Sequence, residues 1–249
     1  MPKSENYLAA QAPARKQTRA YSHAHYTLRR KVLKFLLRFI GIPLLAKVDS
    51  VNGVENIPES GPAILMINHI AFIDPIVIMP YLEREIVPLA KIEVYSYPVI
   101  GIFPRIWGVI PVRREEADRR AIQMSLDVLR AGEIILVAPE GTRGPELIEG
   151  REGIAYLGSR SGAPIVPTAI QGSVGFPALR FTSRWREPGV KIHFGPPFRF
   201  RSDYHRLGGE ALRQMTDEAM YVLSAMLPEA QRGYYRDLEN ATQDTLEFL

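Results

Sequence analysis

Residues 63–75 read AILMINHIAFIDP, and this stretch decides the fold. Five consecutive apolar residues, Ala63 to Ile67, are followed at once by Asn68-His69 and then by Asp74-Pro75. A short unbroken apolar run with a polar end fits a strand buried on both faces, the kind found inside a sheet covered by helices. Runs of the same kind recur at Ile86–Ala90, Gly108–Val112, Ile134–Ala138, Ile165–Ile170 and Val190–Phe194. Helical patterns alternate with them. Glu115–Arg130, EEADRRAIQMSLDVLR, has acids in its first turn and Arg at its last, which complements the helix dipole. Gly153–Ser161, Glu210–Met226 and Tyr234–Phe248 are further helix candidates. Such alternation predicts an α/β domain over residues 49–249, with a mostly parallel sheet flanked by helices.

The composition is ordinary for a globular chain, 46% hydrophobic and 23% charged over 249 residues. There is no cysteine, which excludes disulfides, thiolate-held zinc and a thiol nucleophile. The net charge of +4 hides an asymmetry. Nine Lys and Arg residues and no acid lie between Asn6 and Val48, so residues 49–249 carry about −5. The basicity belongs to an N-terminal arm, residues 1–48, whose first 25 residues read as a polar, weakly ordered lead-in. That lead-in has no apolar signal-peptide core. The longest clean apolar run nearby, Phe39–Ala46, is far short of the ~18–20 residues of a membrane-spanning helix. A chain on the cytoplasmic side, with peripheral membrane contact, is expected.

Within the arm, residues 28–40 (LRRKVLKFLLRFI) read as a helix ended by Gly41 and Pro43. At 100° per residue, Arg30, Lys31, Lys34 and Arg38 share about 100° of arc, and the apolar residues fill about 200° opposite. This pattern predicts an interfacial helix docking on an anionic lipid surface. The plainer alternative is a helix packed on the domain with its basic face in water.

His69 and Asp74 form the first chemical block. A carboxylate that fixes one imidazole nitrogen makes a general base near neutral pH. In a regular helix, positions i and i+5 lie about 140° apart. The two side chains therefore meet only if the strand-to-helix turn lies between them. The second block is Pro139-Glu140-Gly141-Thr142-Arg143-Gly144, directly after the strand pattern IILVA. A glycine turn at a strand end brings amides to an anion, Thr142 adds a hydroxyl, and Arg143 adds a planar donor that Glu140 can orient. A third stretch, Lys91–Arg114, mixes aromatic, Pro and Gly residues with Lys91, Arg105, Arg113 and Arg114. It could line an acyl groove and supply cations. A fourth, Ala163–Ile170 (APIVPTAI), is apolar and shapes a site rather than reacting in it. The motifs of serine hydrolases, P-loop proteins, zincins and dinucleotide-binding folds are absent.

Together, in this order, the four blocks resemble the glycerolipid acyltransferase family, specifically the 1-acyl-sn-glycerol-3-phosphate acyltransferases, over roughly residues 50–200. Asn68-His69-x4-Asp74 is similar to that family's first block and Pro139–Arg143 to its third. Ala71 stands where the family usually has a small hydroxyl residue. Arg113-Arg114 stands where an acid usually precedes the Arg. The resemblance implies an αβ domain with an N-terminal helical membrane motif. It implies His69 as base, Asp74 as its holder, and Lys91 and Arg143 as ligands of the acceptor phosphate. Glu140, Gly141 and Thr142 would shape that pocket, with Asn68, Arg113 and Arg114 as further candidate contacts. The expected partners are a lysophospholipid acceptor, an anionic membrane surface, and acyl-CoA or acyl carrier protein as donor. No cofactor, metal ion or nucleic acid is expected. Two alternatives stand beside this reading. One is a different acceptor, glycerol-3-phosphate or a lyso-aminolipid. The other is a peripheral lipid-binding protein without catalysis, which would have no use for the His69–Asp74 pair.

Overall fold

A computed structural model describes residues 22–113, 118–201 and 208–249. Nine strands among them form one sheet. They are β1 (Val48–Asn52), β2 (Ala63–Ile67), β3 (Ile86–Lys91), β4 (Ile110–Val112), β5 (Ile134–Val137), β6 (Ile165–Gln171), β7 (Val190–Phe194), β8 (Phe198–Phe200) and β9 (Leu246–Phe248). The spatial order is β1-β7-β6-β2-β5-β3-β4, and every neighbouring pair runs parallel except β6–β7. β8 pairs antiparallel with β6 and β9. The helices are α1 (Ala24–Leu36), α2 (Ile42–Leu45), α3 (Asp74–Ile78), α4 (Ile102–Trp107), α5 (Arg119–Arg130), α6 (Gly153–Ser161) and α7 (Gly209–Ala225).

β2 lies at the centre and is buried along its whole length. Ala63, Leu65 and Ile67 enter one core with Ile42, Ile78 and Trp107. Ile64 and Met66 enter the other with Leu129, Leu157 and Met220. Both faces of the strand are covered, so its sequence shows no polar alternation.

Four sequence expectations change. Gly108 does not begin β4. It closes α4 in a left-handed conformation, φ 76°, and a Cβ there would lie 2.6 Å from the Tyr26 ring. Tyr234–Phe248 is not a helix but single 3₁₀ turns followed by β9. The buried Glu218 of α7 takes hydrogen bonds from the hydroxyls of Thr242 and Thr245 and the amides of Asp244 and Thr245. These tertiary bonds replace the helical ladder. Residues 114–117 lie outside the described residues, so the predicted start of the Glu115–Arg130 helix does too. Its described part opens on Asp118, which accepts from the amides of Arg120 and Ala121.

The fourth change concerns the arm. A single π-helical turn, Leu37–Gly41, joins α1 to α2, and Ile42 and Ala46 reach the core. The basic side of α1 faces the domain, and much of its apolar side faces water. Arg30 is fully buried: its Nε donates to the Trp107 carbonyl (2.7 Å), and its guanidinium lies 4.9 Å over the Tyr26 ring. Lys34 donates to the Glu83 carbonyl and Arg38 to the Pro80 carbonyl, each at 2.9 Å. Arg30 also donates to His23 Nδ1 (3.0 Å), which leaves His23 Nε2 to donate to Glu85 (3.0 Å). His23 is thus a fastener rather than part of a loose lead-in, and burial lowers its pKa from the ordinary value. The cause is a shortage of donors: Trp107 ends α4 and Pro80 lies in the last turn after α3, where carbonyls lack intrahelical partners. Leu28, Val32, Phe35 and Phe39 are left more than half exposed. No helix among the described residues is long and apolar enough to cross a membrane.

If the basic face seats the helix, Arg30→Ala should cost about 2–4 kcal/mol in urea unfolding. The exposed Lys31→Ala should change stability by less than ~0.5 kcal/mol. Equal effects would contradict this seating.

Candidate active site

The parallel strands deliver four loops to one end of the sheet. β2, β5, β3 and β4 are successive neighbours. Their registers set Met66 beside Val137, Leu136 beside Pro88, and Lys91 beside Val112. Carried forward, Asn68, Pro139, Lys91 and Val112 stand level, at roughly 4.8 Å per strand. The His69 turn, the Pro139–Gly144 loop, Lys91 and Arg113 therefore follow one another along this edge. Arg114 lies outside the described residues.

His69 sits in the turn between β2 and α3, and Asp74 is the first residue of α3. The turn brings them together, with His69 Nδ1 2.9 Å from Asp74 Oδ2. Asp74 is fully buried, while 15% of the His69 side chain is exposed. The same Oδ2 accepts the amides of Ile70 and Ala71, both at 2.7 Å, and Oδ1 accepts the Ser173 hydroxyl. A carboxylate oxygen can only accept, so Nδ1 carries the imidazole proton. The Nε2 lone pair is then free to act as a base.

The backbone around the pair is held from two sides. Asn68 donates to the Ile170 carbonyl (2.9 Å) and accepts the Ile170 amide (2.7 Å), which fixes the β2 end to β6. The Pro139–Gly144 loop grips His69 itself. Its amide donates to Glu140 Oε1 (3.1 Å), and its carbonyl accepts the Gly144 amide (3.0 Å). Gly141 takes a left-handed conformation, φ 66°, and a Cβ there would lie 2.9 Å from the Arg151 guanidinium. Thr142 and Arg143 are exposed. Arg143 makes no hydrogen bond or ion pair among the described residues. Lys91 is partly exposed, 3.5 Å from Glu93. Arg113 is exposed, and its amide donates to Asp118 (2.9 Å).

The Acyltransferase family model matches residues 50–171, from β1 to the end of β6. The chain belongs to the acyltransferase family. It is 28% identical over 167 residues to the 1-acyl-sn-glycerol-3-phosphate acyltransferase of Bacillus subtilis, covering 66% of this chain and 80% of that protein. It is 30% identical over 155 residues to the protein of the same name from Borreliella burgdorferi, covering 61% and 60%. Among solved structures, it is similar to the 1-acyl-sn-glycerophosphate (LPA) acyltransferase PlsC of Thermotoga maritima, with a TM-score of 0.55 and 23% identity over 76% of this chain and 77% of that one. That likeness supports the fold.

Two features of this acyltransferase were not legible beforehand. Ser173 completes the shell of Asp74 from 99 positions away, and no spacing rule reaches that far. Glu140 does not orient Arg143. Only 3% of it is exposed, and its carboxylate faces inward, where the Ile148 amide also approaches (3.5 Å). Burial pushes its pKa up from 4.5 to about 7, against the pull of the His69 and Ile148 amides, with the nearby Asp74 charge adding to the rise. The fourth block is the buried strand β6, a wall of the core.

A carboxyl group whose folded pKa is raised keeps its proton in the folded state after the unfolded chain has lost its own. Stability then falls as pH rises from 4.5 to about 7 and levels above it. Relative to Glu140→Gln, the wild type should lose on the order of 3 kcal/mol across that window. Urea melts at four pH values would measure this, and parallel curves for the two proteins would contradict it.

Proposed function

We propose that the protein transfers a fatty acyl chain from acyl-CoA or acyl carrier protein to the sn-2 hydroxyl of lysophosphatidic acid, giving phosphatidic acid at a membrane surface. The His69–Asp74 pair carries the reading: a buried carboxylate fixes the imidazole proton on Nδ1 and leaves the Nε2 lone pair of a part-exposed ring as a base. The names of the relatives support the acceptor and the reaction.

His69 Nε2 takes the proton of the acceptor hydroxyl as its oxygen attacks the thioester carbonyl. A C–O bond forms and the C–S bond breaks. The departing thiolate takes the proton back from His69. Base assistance of this kind contributes ~10²–10⁴ in rate. Asp74 balances the transient imidazolium charge. The chain's own residues suffice for this proton cycle, with no cofactor. Arg143 and Lys91 hold the acceptor phosphate, with Thr142 and Gly141 completing the loop around it and Arg113 at its far side. Glu140 acts from beneath, by gripping His69. The outward apolar face of α1 and α2 docks on the lipid surface, on the cytoplasmic side of the membrane. The exposed Lys31, rather than the seated Arg30, meets anionic headgroups.

The test is transfer from a labelled donor to lysophosphatidic acid in anionic vesicles. His69→Ala should lower the rate at least a hundredfold with its urea melt unchanged. Arg143→Ala should mainly raise KM for the acceptor. An active His69→Ala would remove the base, and an unchanged acceptor KM would remove Arg143. Glycerol-3-phosphate as the faster acceptor would shift the reading to the alternative.

A further inference from the structure

The segment Gly172–Arg186, GSVGFPALRFTSRWR, leaves the active-site end of β6. It has little regular structure, only a 3₁₀ turn at Ser183–Arg186, yet it is tightly tied. The Arg184 guanidinium donates to the carbonyls of Gly172 (2.5 Å), Val174 (2.7 Å) and Pro188 (2.8 Å) and lies 4.0 Å over the Phe176 ring. Trp185 Nε1 donates to the Ala178 carbonyl (2.8 Å), and Phe176 is buried. A loop braced in this way has settled side-chain positions. Even so, Phe181 is 85% exposed, and Val174 and Leu179 also face water.

Three further observations say what covers these side chains. The fifteen residues hold three arginines and no acid, within a body whose net charge is about −5. Arg180, next to Phe181 in sequence, and Arg186, in the 3₁₀ turn that follows, are both exposed. The Ala178 amide donates to the Leu45 carbonyl (2.8 Å), which fastens the loop to the end of α2, where Leu44 and Leu45 are exposed as well. The outward apolar face of α1 and α2 thus continues onto the loop. Apolar side chains rimmed by arginines match an anionic lipid interface, with acyl chains below and phosphates at the rim.

We propose that the loop 172–186 is a second docking element for an anionic lipid surface, inserting Leu179 and Phe181 while Arg180 and Arg186 meet headgroup phosphates. This extends the docking of α1 and α2 proposed above and rests on it. At the base of the loop, Ser173 donates to Asp74. The lipid contact at Leu179 is therefore six residues along the chain from the serine that holds the catalytic carboxylate.

The absence of cysteine makes a direct test simple. In the full chain, Phe181→Cys carries an environment-sensitive fluorophore. Tyr234→Cys serves as the control, since Tyr234 is exposed beside Tyr235 of the opposite core. Vesicles of phosphatidylcholine and phosphatidylglycerol are added, and binding is followed by co-sedimentation. The label at 181 should shift to the blue and be quenched by lipid-borne quenchers, while the label at 234 should not change. A paired Leu179→Ser and Phe181→Ser variant should bind vesicles about tenfold more weakly. A protein that sediments with vesicles while its 181 label still reports water would overturn the loop's role and leave helix docking intact. No sedimentation at all would overturn both. A blue shift that grows with protein concentration without lipid would assign the face to a second copy and overturn the proposal.

Discussion

A carboxylate removed from water needs donors around it, and Asp74 draws them from three places. The His69 ring, the amides of Ile70 and Ala71, and the Ser173 hydroxyl all donate to it. The amides come from the turn that Asp74 itself closes, so the carboxylate shapes the loop that carries its imidazole partner. The Ser173 bond reaches across from the end of β6. Burying an ionised carboxyl is costly unless hydrogen bonds replace its water, and here they also fix which ring nitrogen can act as base.

This arrangement depends on the sheet. β2 is flanked by β5 and β6 in parallel register, so its C-terminal end has a loop on either side. The β5 loop supplies Glu140 and Gly144, which hold the backbone of His69. The end of β6 supplies Ile170, which pairs with Asn68, and Ser173. Cations follow along the same edge at Lys91 and Arg113. Chemistry and anion binding thus occupy adjacent strand ends. The arm adds a different economy of charge: Arg30, Lys34 and Arg38 satisfy carbonyls left open at helix ends and in the loop after α3, while Leu28, Phe35 and Phe39 remain outside.

Much of this was legible because local pattern and tertiary role agree. β2 and β7 have the bounds that their apolar runs predict, Ala63–Ile67 and Val190–Phe194, and α6 spans Gly153–Ser161 as read. The turn between His69 and Asp74 followed from the 140° argument. Reading failed where a distant partner decides. β1 carries Asp49, Ser50 and Asn52 and becomes a strand through its pairing with β7. α3 and α4, with five and six residues, are too short to show a helical period. Glu218 turns the predicted last helix into turns and a strand. A helical wheel locates the basic stripe of α1 but not the carbonyls that claim Arg30, Lys34 and Arg38, so the plainer alternative of a basic face left in water does not hold for these three. Ser173 and the inward turn of Glu140 are products of folding with no local signature.

The most direct measurement is acyl transfer by Asp74→Asn beside the wild type, with lysophosphatidic acid binding and urea unfolding measured on both. The amide keeps the size of the side chain but can no longer hold the ring proton on Nδ1 as a charged acceptor. Transfer should fall by about 10³–10⁴ with acceptor binding kept, in line with other enzymes whose histidine base loses its carboxylate. A rate within tenfold of the wild type would contradict the assignment of His69, held by Asp74, as the base.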